Sequence, residues 1–262
     1  MSDTFFRLYT VFHKPFYIPP VDFVVPIHAG KCLSKQPLPM LGDDSGENIS
    51  ALNPCLSEFT ALYWIWKNAG HVPNDIWGLC HYRRYFAVPR RRLLASHKKL
   101  ISLPPAQAAI DRIVNKQLGV YIQHQFEHFD VVVQEPIYAY RKKGTTLNLE
   151  QHYNQDHRAA DWQLMKEVVL ELYPQYTQSL NTFCRQHTLS FAHMMIARHW
   201  LWNDYLSWLF PILFALKDRI TLAENDTYQS RALAFIGERL MNLYLLHTAP
   251  RIGYMPIAVF DK

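Results

Sequence analysis

Short, mostly apolar runs alternate along the chain with longer stretches whose apolar residues recur at helical spacing. Phe5 to Phe12 predicts a first strand, closed by His13-Lys14-Pro15 and the Pro19-Pro20 pair. Phe23 to Ile27 predicts a second, leading into His28-Ala29-Gly30-Lys31. Ile76-Trp77-Gly78-Leu79-Cys80 predicts a third, which breaks into His81-Tyr82-Arg83-Arg84-Tyr85-Phe86. Asp130 to Tyr140 predicts another, ending in a polar loop from Arg141 to Thr146. Runs without polar alternation belong to strands covered on both faces of a parallel sheet.

Helical patterns fill the intervals. Asn53 predicts an N-cap with Pro54 at the first helical position; Phe59, Leu62, Tyr63 and Trp66 form the apolar stripe and Gly70 closes the helix. Asp111 to Phe129 and Trp162 to Tyr173 predict two more, the second stopping before Pro174. Asp226 or Thr227 predicts the cap of a helix to about Leu246, with Leu233, Ile236, Leu240 and Tyr244 on its apolar face. Strand–helix alternation predicts the α/β class, with a mostly parallel central sheet flanked by helices. There is no internal repeat, low-complexity tract or obvious linker, so residues 1–262 are expected to form one domain.

Composition narrows the class. With 49% hydrophobic and 19% charged residues, the 262-residue chain is globular rather than disordered. A net charge of +5 suits a phosphorylated or polyanionic partner without requiring one. The 7 Trp and 15 Tyr pack cores but also stack on sugar rings. Cys32, Cys55, Cys80 and Cys184 lack CxxC spacing and sit among apolar neighbours, as buried reduced thiols of a cytoplasmic protein do. Met1-Ser2-Asp3-Thr4 is no signal peptide. The most apolar stretch, Met194 to Leu216, is interrupted by Arg198, His199, Asn203, Asp204 and Pro211, against a membrane span. Arg90-Arg91-Arg92 and Lys98-Lys99 read as solvated faces, or as a contact with anionic headgroups at the inner membrane surface.

Ligands of open α/β sheets bind beyond the carboxyl ends of strands. Arg83 and Arg84 stand at such an end, and their planar, permanently charged forks suit phosphate or carboxylate. His81 adds a donor whose charge is adjustable near neutral pH. The alternatives are a buried ion-pair cluster and a solvated basic loop. The His-Lys pairs ending the first two strands favour an electropositive rim. Gly42 to Ser50 is a polar loop that fits a divalent cation, a nucleoside or a plain turn. Glu58 lies off the helical stripe, as a surface or rim carboxylate would. His157 and Asp161 are i, i+4 and share one face if a helix starts there, so they are candidates for proton transfer. With His152 they also suggest a two-histidine, one-carboxylate metal site, which their spacing does not favour. Arg231 and Glu238, seven apart, offer a second catalytic carboxylate or a surface ion pair.

Asn48-Ile49-Ser50, Asn53-Pro54, Glu58 to Trp64, Trp66-Lys67-Asn68 and above all Gly78 to Phe86 together resemble one bacterial family. The likeness extends through His13-Lys14-Pro15, Pro26-Ile27-His28, His157 with Asp161, Trp208 to Leu213 and Gly237 to Leu240, nearly the whole chain. That family, formerly a domain of unknown function, belongs to capsule, exopolysaccharide and lipopolysaccharide biosynthesis. Its members are similar to glycosyltransferases, some of them galactofuranosyltransferases. The resemblance implies a GT-A-like fold, with a donor-binding part over about 1–140 and an acceptor-side part over about 141–262. It implies a UDP-sugar co-substrate and a lipid-linked or oligosaccharide acceptor, with no tightly bound cofactor and no nucleic acid. Where such folds carry a metal-binding Asp-x-Asp, this chain has His81-Tyr82-Arg83-Arg84, so a divalent metal is not expected, with Asp43-Asp44 as the reservation. Donor and diphosphate binding then falls to His81, Arg83, Arg84, His13, Lys14, Asp44 and Asn48. Acceptor binding falls to His193, Tyr82 and Arg231, and catalysis in an inverting transfer to Asp161 with His157, or to Glu238. Ala192-His193-Met194-Met195 departs from the Asn-Met-Phe-type run usual at that place, which bears on specificity. The rival readings are a non-catalytic nucleic-acid- or glycan-binding module using the basic, aromatic rim, and an inactive relative serving as a scaffold.

Overall fold

The computed structural model describes residues 5–89, 99–140, 144–220 and 231–261. In chain order the strands are β1 (Phe6–Phe12), β2 (Val24–His28), β3 (Leu41–Gly42), β4 (Ile76–His81), β5 (Arg84–Phe86), β6 (Leu100–Leu103), β7 (Val131–Gln134), β8 (Ile137–Tyr138), β9 (Thr188–Leu189), β10 (Met195–Arg198), β11 (Ile252–Met255) and β12 (Ile257–Phe260). The helices are α1 (Asn53–Leu56), α2 (Phe59–Asn68), α3 (Gln107–Ile113), α4 (Lys116–Gln125), α5 (Leu149–Asp156), α6 (Ala159–Leu172), α7 (Thr177–Arg185), α8 (His199–Lys217) and α9 (Ala232–Thr248). The main sheet runs β11-β7-β10-β4-β1-β2-β3, and only β10 opposes its neighbours. β12 pairs with β5 and β6 off that path, while β8 and β9 form a separate ribbon. The α/β class and the mostly parallel sheet are as the apolar runs predict.

Strand periodicity explains why both faces are covered. In β1, Phe6 and Leu8 enter one buried cluster while Tyr9 and Val11 enter the other. β4 divides likewise, with Ile76 and Cys80 on one side and Trp77 and Leu79 on the opposite side. Alternate side chains point to opposite faces of a strand, so one apolar run supplies two cores. The larger core is filled by α2 and α5 to α9, where Trp202 stacks on Trp77 at 4.2 Å between ring centroids. Most of the aromatic run beyond Leu189 is therefore core; Trp200 remains exposed.

Several local expectations are corrected. The helix from Asn53 to Gly70 is broken at Ser57, whose φ is 48°, and Asn53 opens α1 instead of capping it. Its Nδ2 donates to the Ser57 carbonyl (2.8 Å) and the Thr60 hydroxyl (3.1 Å), bracing the break. The helix expected over 111–129 is split by Asn115, which caps α4 by accepting from the Gln117 and Leu118 N–H groups. The strand expected over 130–140 divides at Glu135-Pro136 into β7 and β8. His157 stands between α5 and α6 in an extended conformation (φ −135°, ψ 173°), so it does not share a helical face with Asp161. Cys32 is exposed while Cys55, Cys80 and Cys184 are buried, all as free thiols. Arg90-Arg91-Arg92, Lys98, Arg141 and the caps Asp226 and Thr227 lie outside the described residues. Among the described residues no helix is long and apolar enough to cross a membrane.

Candidate active site

β1 and β4 are parallel neighbours with Val11 opposite His81, so their carboxyl ends open side by side. The chain then turns back through Tyr82 and Arg83 into β5, where Arg84 pairs with His81. What looks in the sequence like a strand breaking into a loop is a tight hairpin. It holds the two guanidinium groups over the mouth of the sheet. A cleft of about 990 Å³ opens there. Its walls come from the β1 and β4 ends, the Ser57 break, the Phe191-Ala192 turn, the first turns of α9 and β12.

Of the residues singled out in the sequence, His13, Lys14, His81, Tyr82, Arg83, Arg84, Arg231 and Glu238 line this cleft. Tyr82 is buried and organises one wall: His13 meets its ring edge-on at 5.0 Å, and Lys14 and Arg83 lie 5.7 and 5.1 Å from its centroid. Arg83 also faces Asp261 at 3.8 Å. Among the described residues Lys14, Arg84 and Arg231 have no carboxylate within 4.0 Å. Arg231 donates from Nε to Ser57 Oγ at 2.9 Å. Desolvation at the cleft wall and then the field of Lys14, Arg231 and Arg83 hold the His13 imidazolium below its ordinary pKa. These cations thus act on one space, and that space suits an anion with several oxygens.

His81 differs from the expectation. Burial, reinforced by Arg84, pushes its pKa down to about 4, so it is neutral at physiological pH. Its Nε2 is 2.6 Å from the Ala192 carbonyl, to which the neutral ring donates. The Ala192 N–H donates to Glu238 Oε1, also at 2.6 Å. These two bonds clamp a turn in which Ala192 and His193 both have positive φ, 66° and 47°. With Ser57, three of the four non-glycine residues of positive φ among those described lie at or under the cleft. Such strain persists where surroundings over-determine it, and it gathers at functional sites.

The carboxylates reach the cleft through a close helix contact. A Cβ on Gly237 would stand 2.5 Å from the Phe59 ring, so glycine lets the start of α2 press against α9. Glu58, preceding Phe59, and Glu238, following Gly237, then face the same cavity. Burial raises the Glu58 carboxyl above its ordinary pKa, against the opposing fields of Arg231 and Arg84.

The other candidates lie elsewhere. Asp161 is 3% exposed in the first turn of α6, 3.9 Å from Arg158, and burial raises its carboxyl. His157 stacks on Phe235 at 4.3 Å, behind a residue that lines the cleft. His193 is fully buried beneath the floor, with Nε2 2.8 Å from Tyr205 Oη, and desolvation pushes it down to about 3. Asp44 and Asn48 are exposed outside the cleft. The His28 ring, at the end of β2, is buried and accepts from the Leu38 N–H at 3.2 Å, so that second rim pair is structural. Asp43 accepts from the Gly30 N–H, the Lys31 N–H and Ser50 Oγ at 2.8, 3.0 and 2.6 Å. At the β4 end the guanidinium groups of Arg83 and Arg84 offer no lone pair to a metal ion. Among the described residues no group of three or more His, Cys, Asp or Glu side chains is arranged for a metal ion. Asp261 and Phe235 carry no signal in the sequence pattern, and Glu58 reads there as a surface or rim carboxylate.

The fold and cleft define an α/β protein with an anion-seeking site at the mouth of its sheet. The chain belongs to the family described as a domain of unknown function, DUF4422, which matches residues 7–249. It is similar to a solved apo structure of WbbM, a bifunctional glycosyltransferase, at 26% identity and a TM-score of 0.87. The likeness covers 98% of this chain and 46% of that one, so this chain spans about half the length of that protein. A comparison with curated proteins finds no match.

Proposed function

We propose that the protein is a GT-A-like glycosyltransferase that moves a sugar from a UDP-sugar onto a hydroxyl of a growing capsular, lipopolysaccharide or exopolysaccharide chain. The observation that carries this reading is the set of cations at the β1 and β4 ends, of which only Arg83 has a carboxylate within 4.0 Å among the described residues. Arg83, Arg84 and Lys14 neutralise the diphosphate as the glycosyl bond breaks, a task that a bound cation performs in sites built on carboxylates. The similarity to WbbM supports the class of reaction. Galactofuranose is the first donor sugar to test, and a lipid-linked or oligosaccharide acceptor at the inner face of the cytoplasmic membrane is the expected partner. Asp161 and His157 stand outside the cleft lining, so the base that receives the acceptor proton is sought among the cleft carboxylates.

The test is incubation of the protein with a panel of UDP-sugars, including UDP-galactofuranose, and octyl glycosides of galactose, glucose and mannose. UDP release that depends on both a donor and an acceptor supports the reading, with and without a chelator. Salt-sensitive binding of single-stranded DNA with no response to UDP would point to the nucleic-acid module instead.

A further inference from the structure

Among the described residues three carboxylates line the cleft, and the structure distinguishes them by what already holds them. Asp261 faces Arg83 at 3.8 Å. Glu238 accepts the Ala192 N–H at 2.6 Å and is occupied in holding the strained turn. Among the described residues Glu58, half-buried, has no cationic nitrogen within 4.0 Å and accepts no hydrogen bond from another residue; its carboxyl is held by the N–H of Glu58 itself. The positive φ of Ser57, pinned by Arg231, sets Glu58 at the cleft where α2 begins. We infer that Glu58 is the catalytic base of the proposed transfer and that Glu238 is a positioning residue; this assignment rests on the glycosyltransferase reading.

In the step, the acceptor hydroxyl gives its proton to a Glu58 carboxylate oxygen while its own oxygen bonds to the anomeric carbon. The bond from that carbon to the diphosphate oxygen breaks, and its electron pair leaves with UDP, opposite Arg83, Arg84 and Lys14. Glu58 then returns the proton to water. The surroundings couple base strength to donor binding. Desolvation, the largest influence, holds the Glu58 carboxyl up, while the Glu58 N–H and the fields of Arg231 and Arg84 hold it down. A diphosphate that neutralises those guanidinium groups removes two of the three lowering influences, so Glu58 becomes a stronger base once the donor is seated.

The experiment compares wild type, Glu58→Gln, Glu58→Ala and Glu238→Ala for UDP binding by calorimetry and for transfer to the glycoside acceptor that wild type uses best. Azide, an anionic nucleophile that carries no proton, is added as a substitute acceptor. Expected are UDP affinities equal to or tighter than wild type for both Glu58 variants, because the removed charge opposes an anion, transfer lower by about 10²–10⁴-fold, and recovery of turnover in Glu58→Ala as glycosyl azide. Glu238→Ala loses activity without that recovery. The acid limb of kcat at saturating donor lies at higher pH than that of kcat/KM for the donor, and it disappears in Glu58→Gln. Transfer by Glu58→Gln within fivefold of wild type overturns the assignment and leaves the glycosyltransferase reading standing, as does a Glu58→Ala variant that binds UDP but ignores azide. A wild-type protein that neither binds UDP nor releases it overturns both.

Discussion

The two ends of the central sheet use the same side-chain chemistry to opposite effect. At the amino end of β4, His71 lies 2.9 Å from Tyr9 Oη through Nε2 and 3.4 Å from Asp75 through Nδ1. Asp75 also accepts the Val72 N–H at 3.0 Å, and Trp77 donates to His199 Nδ1 at 3.2 Å. His71 further stacks on Trp77 at 5.5 Å, so that end is closed and mutually satisfied. At the carboxyl end His81 is likewise bonded, yet Lys14, Arg84 and Arg231 gather on one cleft with no carboxylate within 4.0 Å among the described residues. Histidines and charged residues occur at both ends, and at the amino end Arg7, lying over Phe5, likewise has no carboxylate within 4.0 Å among the described residues; what sets the carboxyl end apart is that several cations face one shared cleft. It is that convergence on open space, not the residue type, that marks the site.

The contrast is sharpest under substitution. Arg84→Ala is expected to lower kcat/KM for the sugar nucleotide by about 10²–10³-fold, the scale of losing one preorganised donor to developing negative charge, with little change in melting temperature. Asp75→Ala, at the satisfied end, should do the reverse. It leaves the Val72 N–H and His71 without their acceptor and costs about 1–3 kcal/mol of stability, with kcat/KM retained. An equal fall in activity for both variants would erase the distinction.

Acid tests the buried histidines. An unfolded imidazole titrates near its ordinary value of 6.5, whereas burial holds His81 to about 4 and His193 to about 3. Both folded pKa values are depressed, so the unfolded chain binds protons first. Stability is then fully present above about pH 6.5 and falls as the pH drops through 4 toward 3, each histidine contributing a slope of about 1.4 kcal/mol per pH unit within that window. Urea unfolding of wild type and His193→Gln between pH 7 and 4 checks this; the variant should show the shallower slope. Gly237→Ala forces a Cβ against the Phe59 ring and should cost about 1–3 kcal/mol, while displacing Glu58 and Glu238 and so lowering turnover too. The smallest effect expected is from Ala192→Gly, which removes positive-φ strain worth about 1 kcal/mol. It should leave the melting temperature equal or slightly raised, read by calorimetry.

Much of the frame was legible because β1, β2 and β4 are mostly apolar runs that end in proline or in charge. The place of Arg83 and Arg84 was legible because they follow directly on a strand end, while an ion-pair cluster and a solvated loop remained alternatives to a ligand site. The helix breaks were not. The helices are interrupted at Ser57 and Asn115 without glycine or proline, where the Asn53 amide bonds the Ser57 carbonyl, Arg231 bonds the Ser57 hydroxyl and the Asn115 amide oxygen accepts from the next turn, contacts that no periodicity reveals. β10 was hidden because Arg198 passes directly into α8, merging strand and helix into one apolar stretch. His157 and Asp161 failed to share a face because the chain is extended at His157. Glu58 looked peripheral because helical periodicity assigns a face within one helix and says nothing of a second helix drawn against it by Gly237. Asp261 depended on β12, whose pairing with β5 joins residues far apart in the chain.

The central claim is that fixed guanidinium charge at the sheet mouth receives the diphosphate. Calorimetric titration of UDP and of uridine into wild type and an Arg83→Ala/Arg84→Ala variant measures it directly. Wild type is expected to bind UDP far more tightly than uridine, and the double variant to lose this difference. A double variant that still prefers UDP by the wild-type margin would contradict it.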